Sequence, residues 1–166
     1  MSARDDLFTA VESLTEEQAS TVLGWLAVMR RRETPTFEGE QSVGPLGDVL
    51  GMTSVAREPG RCRMRLNVDP ALHNPNGVLH GGIVYTMIDY SMGGAVQPHL
   101  PEGDSCATIE VKVSYLASVR EGTLTVDTEV VKQGRNIAFL ESKVTDHTGR
   151  LVATATGSMF VFRGAP

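Results

Sequence analysis

Cysteine is scarce in this chain: Cys62 and Cys106 are the two present among 166 residues, too few and too far apart for a disulfide-built scaffold. With no Cys-x-x-Cys pair they read as reduced thiols, which points to the cytoplasm. No run approaches the length and apolarity of a membrane span, and the opening MSARDDLF lacks the apolar region of a signal peptide. A soluble cytoplasmic chain without membrane contact is therefore expected. Basic charge is also short, since 15 Lys and Arg against 20 Asp and Glu leave a net charge of -5. That sign argues against nucleic acid as a partner, which needs a clustered basic surface. The one basic run, Arg30-Arg31-Arg32, follows an amphipathic stretch and reads as a helix C-terminus. There is no Gly-x-Ser-x-Gly elbow, no phosphate-binding glycine loop, and no zinc spacing among His73, His80, His99 and His147. These absences exclude serine hydrolases of the α/β type and leave no expectation of a metal.

What is present fits one domain with a real core: 41% hydrophobic and 21% charged residues are ordinary for a globular protein. Leu7, Val11 and Leu14 share one helical face, and Ala19, Val22, Leu23, Leu26 and Met29 share another. Thr15 followed by Gln18 resembles a capping box, so the spacing predicts two helices over 3–32 with a break near Leu14. Residues 33–47, with Pro35, Gly39, Gly44 and Pro45, read as a linker. The chain thus divides into a helical extension with linker, 1–47, and a main domain, 48–166.

In the main domain LGDVLGMTSVA and GRCRMRLNV are strand-like, with a hairpin turn at Glu58-Pro59-Gly60. A helix is predicted over 80–97. Four strand-like runs follow, and their short turns favour an antiparallel meander. In the first of them Ala107, Ile109, Val111, Val113 and Tyr115 alternate with Thr108, Glu110, Lys112 and Ser114, as in a half-buried strand. Ile83, Val84, Met87, Ile88, Met92 and Val96 cover too wide an arc of the helix for one flat contact. A curved sheet folded around a central helix would bury them, which makes the fold class α+β.

The stretch NPNGVLHGGIVYTMIDYSMGGAV, residues 74–96, concentrates the chemistry. A helix that starts at His80-Gly81-Gly82 presents free N–H groups and the positive end of its dipole. Glycine there lets a ligand approach the backbone, and such amides can stabilise an oxyanion. Asp89 lies in the middle of an otherwise apolar run, either as a solvent-facing residue of an ordinary helix or as a functional carboxylate.

NPNGVLHGG leading into a helix, with Asp nine residues after the His, resembles the hotdog-fold acyl-CoA thioesterases, most closely the phenylacetyl-CoA thioesterase group. GRNIAFLESKVTDHTGRLVATATGSMFVF is similar to that family's last two strands, and the resemblance covers residues 45–163. It implies a hotdog fold and hydrolysis of an acyl-CoA to a free acid and CoA, with no cofactor beyond the CoA of the substrate. It implies that the Gly81 N–H, helped by Asn74, holds the thioester carbonyl oxygen. Asp89 would activate water or attack directly, and Thr108 matches the position of a hydroxyl that orients the water. His80 and Gly82 would lie along the substrate, and Lys132 and Arg135 near the nucleotide end of CoA. Relatives that carry Glu at the Asp89 position have Thr one turn later, where this chain has Gly93, so it is not assigned to that subtype.

Each of these residues also has a plainer reading. Asn74 serves equally as a turn residue, with Asn76 competing for the role. Thr108 lies opposite the apolar face of its strand, His80 can simply shape the turn, and Lys132 and Arg135 can be surface charges. Gly81 and Asp89 are eight residues apart, about 12 Å along a helix. One helix cannot bring both to one carbonyl, so a catalytic Asp89 would have to come from a second chain. A homodimer or a dimer of dimers is the assembly expected. The rival readings are a hotdog dehydratase or hydratase and a non-catalytic acyl-CoA sensor, for which the N-terminal helices would be the output element.

Overall fold

Ser2 opens the first helix with a reciprocal cap: its hydroxyl accepts the Asp5 N–H, and the Asp5 carboxylate accepts the Ser2 N–H. This helix, α1, spans Ala3–Glu12. The next, α2, spans Glu16–Arg31 behind the expected Thr15/Gln18 box, whose two bonds measure 2.9 and 3.3 Å. The computed structural model describes residues 2–31 and 41–164, so residues 33–40 of the expected linker lie outside the described residues. Two compact units make up the chain, Met1–Thr36 and Phe37–Pro166. In the first, Leu7, Phe8 and Val11 of α1 and Leu23 and Trp25 of α2 are exposed.

The second unit departs from the expected linker and first strand. Gln41–Ser42 forms a short strand, β1, and Pro45–Leu50 forms a helix, α3. The strand expected over LGDVLGMTSVA is thus half helix. Pro45 sits in the first turn, where it has no N–H bond to lose. Gly47 and Leu50, three apart, bury one side, and Gly51 ends the helix in the left-handed region at φ 74°. Then come β2, Met52–Glu58, and β3, Arg61–Asn67, joined by the expected hairpin with Glu58 opposite Arg61. The long helix α4 spans Gly81–Val96, and β4 Ser105–Tyr115, β5 Thr123–Gln133, β6 Ile137–Thr145 and β7 Leu151–Phe162 follow.

The seven strands among the described residues make one antiparallel sheet in the order β1-β2-β3-β5-β6-β7-β4. The meander of four is therefore a meander of three. β4 does not pair with β5; it pairs with β7 at the far edge, and β5 pairs with β3. Short connections favour antiparallel neighbours, but here α4 carries the chain across the sheet before β4 begins. The next three strands then fill the space between β3 and β4.

α4 touches every strand from β2 across to β4. Strands lie about 4.8 Å apart and a helix is about 10 Å wide, so a flat sheet would leave most of them out of reach. The sheet curves around the helix, as in the hotdog arrangement. Met87, Ile88, Met92, Ala95 and Val96 are completely buried against Met64, Leu66, Leu124, Val126 and Val161. Each large side chain in that core contributes roughly 1.5–3 kcal/mol over leaving it in water. No helix among the described residues is long and apolar enough to cross a membrane.

Candidate active site

The turn before α4 is built from its own polar groups. The Asn74 side-chain oxygen accepts the Asn76 N–H at 2.9 Å, the Asn74 carbonyl accepts the Gly77 N–H, and the Asn74 N–H bonds the Val78 carbonyl. Asn74 is thus a turn residue through its oxygen, while its side-chain NH2 remains a donor. His80 is the N-cap, in extended geometry, and its Nδ1 accepts the Gly82 N–H at 2.9 Å. That bond leaves the ring proton on Nε2 when the imidazole is neutral.

The amides of this segment can be followed one by one. Leu79 N–H bonds the Val119 carbonyl, His80 N–H the Leu72 carbonyl, Gly82 N–H the His80 ring and Ile83 N–H the His80 carbonyl. From Leu79 to Ile83 the Gly81 N–H alone has no partner among the described residues. Of the two glycines proposed from sequence, Gly81 offers a free donor and Gly82 does not. Tyr115, which sequence reading treated as one apolar residue of a strand, donates its hydroxyl to the Gly81 carbonyl at 3.0 Å.

Two turns further on, Asp89 is half-buried and accepts the Thr108 hydroxyl at 2.6 Å. A bulge produces this contact. The register steps from Thr108↔Met159 to Glu110↔Ser158, which leaves Ile109 as the extra residue. Thr108 therefore shares the face of buried Met159, while Val111, Val113 and Tyr115 face the same way on the other side of the bulge. The single alternation expected over 107–115 is broken at Ile109, and Ala107 points the opposite way. Gly157 permits the bulge: a Cβ there would lie 2.9 Å from the Glu110 carbonyl oxygen and 2.6 Å from the Met92 sulfur.

Asp89 and Thr108 line a groove of about 310 Å³ together with Arg57, Tyr90, Gly93, Gln97 and Cys106. The adjacent glycine, Gly94, lets the helix pack on Cys62, whose sulfur would lie 2.7 Å from a Cβ there. Close packing thus explains tolerating it. Cys106 is a free thiol, and burial pushes its pKa above the ordinary value, with Arg57 opposing the shift. A protonated thiol is a poor nucleophile. Asp89 is the carboxylate among the residues that line the groove. Arg57, at the end of β2 opposite Cys62, makes no hydrogen bond or ion pair among the described residues and gives the groove a cationic wall. Nothing in the sequence around Arg57 signals that position.

β4 runs beside α4 and sends it two side-chain hydrogen bonds, from Tyr115 to Gly81 and from Thr108 to Asp89. The helix between them is continuous, which keeps the two groups about 12 Å apart in one chain. Lys132 and Arg135 are not brought to this groove. Lys132 pairs with the exposed Phe139 on the outer face of the sheet. Arg135 lies in the β5–β6 turn, where its carbonyl accepts two bonds from the Arg163 guanidinium.

Residues 76–153 match the family model described as the thioesterase superfamily. That span contains Gly81, Gly82, Asp89, Thr108, Lys132 and Arg135. A provisionally named esterase of Halobacterium salinarum is 36% identical over 125 residues, covering 69% of this chain and 82% of its own. Human acyl-coenzyme A thioesterase 13 is 28% identical over 108 residues, covering 63% of this chain and 76% of its own. Among solved structures, a thioesterase family protein from Silicibacter pomeroyi superposes with a TM-score of 0.68 at 31% identity, covering 73% of this chain and 91% of that one.

Proposed function

The chain belongs to the thioesterase superfamily and is a thioester hydrolase, and on that premise we propose that it cleaves an acyl-CoA at a site shared between two copies. The observation that carries this reading is the pairing on α4 of one unpartnered amide, at Gly81, with one oriented carboxylate, Asp89, that the same helix holds apart. The substrate class is supported by likeness to a relative named for acyl-CoA hydrolysis.

In the proposed reaction the thioester carbonyl oxygen accepts the Gly81 N–H of one copy, and the Asn74 NH2 assists. Asp89 of a second copy takes a proton from water. Thr108 holds one carboxylate oxygen and leaves the other to face that water. The hydroxide attacks the carbonyl carbon, and the negative charge of the tetrahedral intermediate falls on the oxygen held by Gly81. The carbon–sulfur bond then breaks. CoA leaves as a thiolate, a good leaving group with a pKa of roughly 8.5, and takes back the proton held by Asp89 to become the thiol; the acyl group ends as the carboxylic acid and Asp89 returns to its carboxylate form.

A second copy is needed because about 12 Å separates the two groups in one chain. β4 supplies an edge at which copies could join, since it ends the sheet and leaves Ile109 53% exposed. Two assays test the proposal. Wild type should release free thiol from members of an acyl-CoA panel and Asp89→Asn should not; tight binding without turnover would instead mean a sensor. Mixing Asp89→Ala chains with Asn74→Ala chains should restore activity, because mixed dimers keep one intact site. No restoration under confirmed subunit exchange would overturn the shared site.

A further inference from the structure

We propose that Tyr115 is a positioning residue for the Gly81 amide, holding the peptide plane that aims this donor at the substrate. The inference rests on the reading of Gly81 N–H as the group that holds the thioester carbonyl.

The start of α4 has two adjacent glycines, Gly81 and Gly82. Neither has a Cβ to narrow its torsions, so the direction of the amide between His80 and Gly81 is not fixed by local sterics. Hydrogen bonds do this instead. The peptide joining Gly81 to Gly82 is held at both polar atoms, its C=O by the Tyr115 hydroxyl at 3.0 Å beside the ordinary helical bond of α4, and its N–H by His80 Nδ1 at 2.9 Å. The preceding peptide is held at its carbonyl by the Ile83 N–H at 2.9 Å. With these three atoms fixed, the Gly81 N–H has one direction available.

Of these bonds, the one from Tyr115 comes from outside the helix and its own cap. Tyr115 lies at the end of β4, opposite the buried Ala153, so its ring is turned toward the helix. A Cβ on Gly81 would meet two ring carbons at 3.4 Å and the hydroxyl at 3.5 Å, which places the ring in van der Waals contact with that residue. Partial burial first, and then Tyr85, raise the pKa of the phenol, so it stays protonated and donating through neutral and mildly alkaline conditions. Its single proton is committed to the Gly81 carbonyl and is not available to the substrate. Tyr115 therefore acts through the backbone rather than on the reacting atoms.

The test is Tyr115→Phe in the full chain, which removes one oxygen and keeps the ring. Acetyl-, hexanoyl-, decanoyl-, benzoyl- and phenylacetyl-CoA are screened by free-thiol release, and the fastest is used for steady-state kinetics. The expected result is a fall in kcat of about tenfold with KM within about twofold of wild type, the pattern of a contact that matters in the transition state. The melting temperature should stay essentially unchanged. Amide hydrogen exchange at Gly82 should quicken in the variant, because the same plane has lost the one anchor that comes from β4. An unchanged kcat in a variant whose wild type is active would overturn the positioning role and leave the proposed reaction standing. A wild type inactive on the whole panel would overturn the reaction, and this inference with it. A lower melting temperature with unchanged exchange at Gly82 would reduce Tyr115 to a packing residue.

Discussion

At its start α4 offers a backbone atom, the Gly81 N–H, and two turns later it offers a side chain, the Asp89 carboxylate; the two are made in opposite ways. The first exists because the N–H groups around it are taken by the Val119, Leu72 and His80 carbonyls and the His80 ring, while the Tyr115 hydroxyl donates to the Gly81 carbonyl. The second exists because an acidic residue sits in an apolar helix where a bulged strand brings it one hydroxyl. Removing a side chain acts directly on the second and only indirectly on the first. Both depend on β4, which reaches each end with one polar residue.

The largest expected effect breaks the Asp89 end. Asp89→Asn keeps the shape of the side chain and removes the carboxylate proposed as the base, and kcat should fall by about 10³-fold or more, with little change in thermal unfolding. Gly157→Ala comes next. Its added methyl group presses on the Glu110 carbonyl and on Met92, so it should cost about 1–3 kcal/mol in denaturant unfolding and lower kcat by displacing the bulge that carries Thr108. Thr108→Val should lower kcat by about tenfold while Thr108→Ser stays near wild type, which would isolate the hydroxyl at this end. At the other end, His80→Ala removes the cap of Gly82. It should cost about 1 kcal/mol of stability, measured by urea unfolding, with a smaller fall in kcat than Asp89→Asn.

The smallest effect comes from a carboxylate outside both ends. Asp146 accepts the Thr148 hydroxyl, the Arg150 guanidinium and two backbone N–H groups in the β6–β7 turn, and these hold its pKa well below the usual carboxylate range. A depressed folded-state pKa stabilises the fold above the unfolded value of roughly 4, and that stability is lost as pH falls below it. Asp146→Asn should thus flatten the acid side of the stability profile and leave kcat at neutral pH unchanged. Melting curves across acidic pH would check this.

Much of the fold could be read from the residues, for local reasons. The Thr15/Gln18 cap, the Glu58-Pro59-Gly60 hairpin and the turn into His-Gly-Gly are all short-range chemistry. The apolar arc of α4 was enough to require a sheet curved around it. The helix α3 was missed because LGDVL followed by a strand has no alternation to separate the two, and Pro45 and Gly51 mark the boundaries only once a helix is suspected. Sheet order was missed because turn length says which strands can be neighbours, not where a helix delivers the chain.

The site divides in the same way. Asp89 and Gly81 were legible because an acid in an apolar run and glycines at a helix start are unusual in themselves. Tyr115 was not, since nothing near it in sequence shows that Gly81, 34 residues earlier, lies under its hydroxyl. Arg57 reaches the groove only through the pairing of β2 with β3 and the packing of both on α4.

Residue order alone places an acid two turns from the start of a glycine-led helix, because spacing along a helix follows from residue numbers. The face on which Thr108 stands was decided by tertiary structure. Alternation put it opposite the apolar residues of its strand, and one extra residue at Ile109 reversed it toward Asp89. That reversal depends on a register between β4 and β7 and on the space left at Gly157, which are distant contacts and leave no trace in a local pattern.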